Sequence, residues 1–187
     1  LGSVLPDFTG GIINTFSYKG FNLIASIDYQ KGGKFFSLSE MWGNSSGLLE
    51  PTAAINDKGV NVRDAVADGG GVHVVGVDEG GSPVDTYVEA YDYFTQYYSN
   101  RLAEPYVHDA SFIKLRDVSL TYDLAKLINN KFIKGATVGV VARNIWRISV
   151  SKENENRWDP SEMSQTYGEN GQLPGTRSYG VNLKLTF

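Results

Sequence analysis

Six aromatic residues crowd one stretch of the chain: Tyr87, Tyr91, Tyr93, Phe94, Tyr97 and Tyr98. Aromatic faces stack on sugars and anchor protein interfaces, and they pack equally well against one another inside a lobe. Ligand contact, partner contact and internal packing are therefore all open for this cluster. Upstream, Asp57–Asp85 is acidic and glycine-rich. Its carboxylates could offer oxygen to a hard cation such as Ca²⁺, but they lack the fixed spacing of a calcium loop. No metal or other cofactor is expected. Gly69-Gly70-Gly71 lacks the lysine and the strand–helix context of a phosphate loop. His73 and His108 lie far apart in polar stretches and read as exposed loop histidines. No serine–histidine–acid set or paired carboxylate has a supporting context, so no catalytic residue is expected and the chain does not read as an enzyme. No basic patch suits nucleic acid. Arg143 and Lys184 stand on the polar faces of alternating segments, where they can line a cavity or pair with carboxylates of the wall.

Those alternating segments organise the rest. In Thr176–Phe187 one face carries Tyr179, Val181, Leu183, Leu185 and Phe187, and the other Ser178, Gly180, Asn182, Lys184 and Thr186. Such period-two alternation fits a half-buried strand of a sandwich or a barrel strand between lipid and a polar lumen. The terminal aromatic residue favours the barrel. Phe21–Gln30 alternates in the same way, with Phe21, Leu23, Ala25, Ile27 and Tyr29 on one face and Ile24 as the exception on the other. Ten residues at about 3.3 Å each, tilted about 45°, climb roughly 23 Å, close to the ~25 Å apolar band of a barrel wall. Lys19-Gly20 should form a two-residue hairpin turn to the preceding strand, which carries Ile12, Phe16 and Tyr18 on one face. In the next segment Ile113 and Leu115 have one parity, and Val118, Leu120 and Tyr122 the other. A β-bulge near Arg116-Asp117 would bring both sets to one face. In Gly135–Trp146, Ala136, Val138, Val140 and Ala142 share a face, with Val141 the misfit on the other.

The expected class is all-β: five antiparallel strands of a large transmembrane β-barrel, over residues 8–18, 21–30, 111–122, 135–146 and 176–187. Residues 31–110 and 147–175 form two long loops. Within the first, Val72–Val77 reads as a short strand and Thr86–Tyr98 as a helix displaying aromatics. That loop holds five basic residues against twelve acidic, a net of −7 in a chain of net −4. Connections alternate short and long, as periplasmic turns and extracellular loops do. Aromatics fall at both strand ends, with Tyr18, Phe21, Tyr122, Phe132 and Phe187 at one rim and Tyr29, Trp146 and Tyr179 at the other. These are the expected interfacial girdles. Five strands cannot close a barrel, so further strands are expected to pair with them. Leu1-Gly2-Ser3-Val4 has no basic region and no apolar run of a leader, so an exported protein is expected to extend beyond this chain. No run is long and apolar enough for a membrane helix. The absence of cysteine excludes a disulfide framework. The alternative is a soluble β-sandwich carbohydrate-binding module with the aromatic stretch as its sugar site.

Pro6-Asp7-Phe8, Gly10-Gly11, Tyr18-Lys19-Gly20-Phe21 and Lys31-Gly32-Gly33 resemble the segment entering the last strands of the SusC/RagA family. Ala110–Val118, Ala142-Arg143-Asn144-Ile145, Asp159-Pro160, Leu173-Pro174-Gly175 and the run from Thr176 to Phe187 continue the resemblance in family order. The resemblance implies the C-terminal part of a TonB-dependent receptor in the outer membrane of a Gram-negative bacterium. Such a transporter imports glycan or peptide with a SusD-like surface lipoprotein and engages TonB through an N-terminal part lying outside this chain. Outer-membrane lipid would cover its apolar face.

Overall fold

A computed structural model describes residues 1–96, 101–124, 132–154, 156–163, 165 and 168–187. The strands are β1 (Pro6–Tyr18), β2 (Phe21–Gly32), β3 (Lys34–Ser37), β4 (Val72–Val77), β5 (Pro83–Val88), β6 (Val107–Asp109), β7 (Phe112–Asp123), β8 (Gly135–Val150), β9 (Gly168–Glu169) and β10 (Ser178–Thr186). Among the described residues two short helices, α1 (Leu38–Ser45) and α2 (Ala90–Phe94), accompany them. The chain divides into two compact units. The first comprises Leu1–Phe35, His108–Tyr167 and Gln172–Phe187; the second comprises Phe36–Val107 and Gly168–Gly171.

The first unit is built on an antiparallel sheet of order β1-β2-β7-β8-β10. Among the described residues it is open, with β1 and β10 at its edges. Lys19 and Gly20 have φ of 47° and 92°. Two consecutive left-handed residues match the twist of the flanking strands, so this pair closes the β1–β2 hairpin tightly. Tyr18 faces Phe21 across it, and Phe21 lies 4.4 Å from the Tyr122 ring on β7.

The bulge expected near Arg116 is present. Ser26 pairs with Asp117 and Ile27 with Leu115, leaving Arg116 as the extra residue. Upper residues Ile113 and Leu115 therefore face the same way as lower residues Val118, Leu120 and Tyr122 despite opposite sequence parity. On the other side Asp117 pairs with Arg143 and Leu115 with Trp146, so β8 absorbs the offset with Asn144 at φ 56°.

Register carries one apolar face across all five strands. Phe16 pairs with Leu23, Leu23 with Leu120, Leu120 with Val140 and Val140 with Val181. Only Gly10 and Asn14 interrupt this face on β1. At Gly10 an added Cβ would clash with the Tyr29 hydroxyl, because the Tyr29 ring covers the glycine and meets Phe8 edge-on. A sandwich would bury this face against a second sheet. Here Phe16, Leu183 and Tyr179 are exposed and Val181 is 78% exposed.

The second unit replaces most of the first long loop. Ser37 caps α1 by accepting from the Glu40 N–H, and donates its hydroxyl to the buried Glu169 carboxylate at 3.0 Å. Glu169 also accepts from the Ser39 N–H and hydroxyl. A carboxylate at a helix N-terminus meets unsatisfied N–H groups and the positive end of the helix dipole. Met41, Val62 and Tyr106 are buried in this unit. β4 matches the expected Val72–Val77, but Thr86–Tyr98 is not one helix. Thr86, Tyr87 and Val88 belong to β5, which pairs with β4, and α2 is confined to Ala90–Phe94. The β-branched Thr86 and Val88 suit a pleated pair better than a helix turn.

Candidate functional site

The polar face of the sheet holds a network of charged side chains. Lys114, between two apolar-face residues, points to the opposite side and is 1% exposed. Its ammonium donates to Asp159 Oδ2 at 2.8 Å, Ser161 Oγ at 2.9 Å and Glu162 Oε1 at 3.0 Å. The bulged Arg116 donates Nη1–H to the same Glu162 oxygen at 2.7 Å and Nε–H to Asp28 of β2 at 2.8 Å. A 3₁₀ turn, Pro160–Glu162, presents the two loop carboxylates. Asp159 caps that turn, its Oδ1 accepting from the Ser161 N–H and hydroxyl. The Gln172 side-chain amide donates to the Glu162 carbonyl. The segment returning after β8 is thus fixed on the polar face of the sheet. Burial pushes the Asp159 carboxyl upward, but hydrogen bonds from Lys114 and Ser161 and the Lys114 charge outweigh it and hold it below the usual carboxylate value.

Strand alternation alone does not disclose this network. Its signal was a cation at 114 inside an apolar stretch and a charged pair at the parity break. The acceptors lie about 45 residues downstream, beyond any periodicity.

Arg143 and Lys184 both lie on the polar face. Arg143 Nε is 3.5 Å from Asp117, with both side chains largely exposed, and Lys184 pairs in register with Thr137. His108 is corrected. It is 5% exposed, its ring meets Phe35, and its Nδ1 bonds the Glu153 carbonyl at 2.9 Å. It sits in a strand of three residues, too short for alternation to reveal.

In the second unit His73 is held between two carboxylates, with Nδ1 3.0 Å from Asp57 and Nε2 2.8 Å from Asp85. Tyr87 lies opposite in register, its ring stacked on the imidazole at 4.7 Å, and its hydroxyl donates to Asp57 at 2.6 Å. The Lys58 ammonium stands 3.2 Å over the Tyr87 ring, a cation–π contact. The hydrogen bond to Asp57 drives the Tyr87 hydroxyl up to about 12. The same bond holds Asp57 below its usual value. Hydrogen bonding to Asp85, with the two carboxylate charges, raises His73. Tyr87 is therefore engaged with His73 and Asp57.

Tyr91 and Phe94 instead line a concavity of about 200 Å³ with Asn44, Arg63 and neighbours. Tyr93 packs edge-on against Phe94. Tyr97 and Tyr98 lie outside the described residues. Trp42, unremarked in the sequence, lines a second concavity of about 330 Å³ with Leu48 and Asn170. Among the described residues no group of three or more His, Asp or Glu side chains converges to hold a metal ion.

No protein-family model and no curated protein matches the chain. Solved structures do. The chain is similar to a chain of the RagAB peptide importer in its open-open state, at 23% identity and a TM-score of 0.64. It is similar to one in the closed-closed state at 22% and 0.63, and to one of the RagAB peptide transporter at 22% and 0.62. Each likeness covers 99% of this chain and 18% of the other. The chain shares its fold with one stretch of those chains. It spans less than a fifth of a RagAB importer chain, and the likeness takes in both units and the returning loop that carries Asp159 and Glu162.

Proposed function

We propose that this chain forms part of the wall and the extracellular crown of an outer-membrane importer of the SusC/RagA kind. Such an importer takes up peptide or glycan together with a SusD-like surface lipoprotein and is energised through TonB. The observation that carries this reading is the two-faced sheet. One face is apolar and open across all five strands, as lipid contact requires. The other carries Asp28, Lys114, Arg116, Asp117 and Arg143. Both sheet edges leave backbone groups to be paired, which in hydrocarbon only further strands can do. The likeness to the RagAB peptide importer supports peptide over glycan as cargo. The chain acts as scaffold, with no step of covalent chemistry assigned to it. Arg143 and Lys184 face the lumen, and Tyr91 and Phe94 belong to the surface offered to the lipoprotein or the ligand.

The test is fractionation of the full gene product, followed by affinity capture in mild detergent. Recovery in the outer membrane with a co-purifying lipoprotein, and peptide uptake abolished by collapse of the proton gradient, is the expected result. A protein that stays soluble and monodisperse without detergent would overturn the reading in favour of a soluble module.

A further inference from the structure

We propose that a cavity of about 440 Å³ in the first unit is a subsite for an acidic side chain of an oligopeptide flanked by apolar residues. Leu5, Pro6, Gln30, Lys34, Ser161 and Met163 help to line it. Lys34 is the anion contact and Glu153 its resident competitor. The inference rests on the importer reading and adds to it the chemistry of the cargo.

Among the described lining residues Lys34 carries the one charge, a cation. Leu5, Pro6, Pro160 and Met163 supply apolar surface beside the polar groups of Gln30, Lys34 and Ser161, so an apolar neighbour and an oriented polar group of one ligand can both be met. Gln30 donates its side-chain amide to the Gly32 and Ala110 carbonyls at 3.3 and 3.1 Å. Its amide oxygen is thereby left as the acceptor it can offer to a peptide N–H. The Ser161 side of the cavity is set by the buried Lys114 contact.

The Lys34 ammonium bonds Glu153 at 2.6 Å, but the Glu153 side chain is 64% exposed. An ion pair this open contributes little. A ligand carboxylate can replace Glu153 on Lys34 at a cost of no more than about fivefold in affinity. His108 anchors the Glu153 backbone, so a displaced Glu153 side chain swings out to water while its main chain stays.

The experiment uses the full-length protein purified from the outer membrane in detergent. The probes are the N-acetylated, C-amidated tripeptide Leu-Glu-Leu and its uncharged counterpart Leu-Gln-Leu, titrated calorimetrically. The glutamate peptide should bind about tenfold more tightly, the scale of one charge-assisted hydrogen bond. Lys34→Gln should abolish that difference. Glu153→Gln should tighten the glutamate peptide by about two- to fivefold and leave the glutamine peptide unchanged. Opposite signs from the two partners of one ion pair are not produced by loss of structure. Equal affinity for the two peptides, binding of neither, or both substitutions shifting affinity the same way would overturn the inference. Fractionation of the expressing cells, done before purification, separates the two failures. A protein recovered in the outer membrane that does not discriminate refutes the subsite alone, whereas a protein found soluble refutes the importer reading.

Discussion

Replacing Lys114 by methionine should release the returning loop from the sheet. Methionine keeps the length and apolar stem of lysine and removes the ammonium that three acceptors share. Breaking a buried ion pair from one side costs about 3–5 kcal/mol. The cost here falls at or below the lower end, because Asp159 and Glu162 keep 22% and 29% exposure and Arg116 still holds Glu162. About 2–3 kcal/mol of local stability is lost, which raises the open population of the loop about 30- to 150-fold. The assay is hydrogen–deuterium labelling of the Ser161 and Glu162 amides, whose N–H groups bond Asp159. Where opening is fast and labelling slow, the rate follows the open population. The pH dependence adds a second check. Asp159 has a depressed carboxyl in the folded state, so its contribution is present above the ordinary carboxylate pKa and is lost as pH falls through the depressed value. The gap between wild type and Lys114→Met should therefore be full at neutral pH and narrow below about pH 4. An increase under about threefold at neutral pH, or a gap that persists unchanged into acid, would refute the account.

Leu183→Arg, on the apolar face of β10, should cost about 2–4 kcal/mol if placed at the bilayer midplane and reduce the folded, heat-modifiable barrel seen on gels, whereas Lys184→Gln next to it should leave assembly unchanged. Asn144→Val puts a β-branched residue at φ 56° and removes the hydrogen bond to the Thr176 carbonyl; a loss of about 1–2 kcal/mol is expected in denaturant unfolding, and Asn144→Gly should recover part of it. His73 has a raised folded pKa, so its tie between Asp57 and Asp85 is fully present below the ordinary histidine value and fades as pH rises through the folded value. Amide exchange in β4 and β5 should accelerate on that rise, and His73→Gln should flatten the profile.

Strand identity was legible because the sheet has one apolar and one charged face, which demand opposite chemistry of alternate residues. Even the parity break between Leu115 and Val118 told the truth, since keeping both sets on one face demands the extra Arg116 that the register contains. What alternation cannot carry is contact between a strand and a distant loop. Asp159 and Glu162 look like any acidic loop residues until the segment returns to Lys114. Tyr87 was grouped with Tyr91 and Phe94 by proximity in sequence. The β4–β5 register instead sets it opposite His73, and pairing across strands overrides neighbourhood along the chain. His108 was misjudged for the same reason: polar neighbours say nothing about a ring that packs on Phe35.

The Ala110 N–H bonds the Gly33 carbonyl at 2.9 Å, and the Ser111 hydroxyl accepts from the Gly32 N–H at 2.8 Å. The stretch from Phe36 to Val107 therefore leaves and rejoins adjacent strands at a clasped neck. Closing a loop grows costlier only with the logarithm of its length. A graft of different size or composition at this neck would leave the pairing of β2 with β7 undisturbed. The five-stranded sheet can thus keep its pairing while the Phe36–Val107 stretch changes, and one register can carry inserts of different size and chemistry.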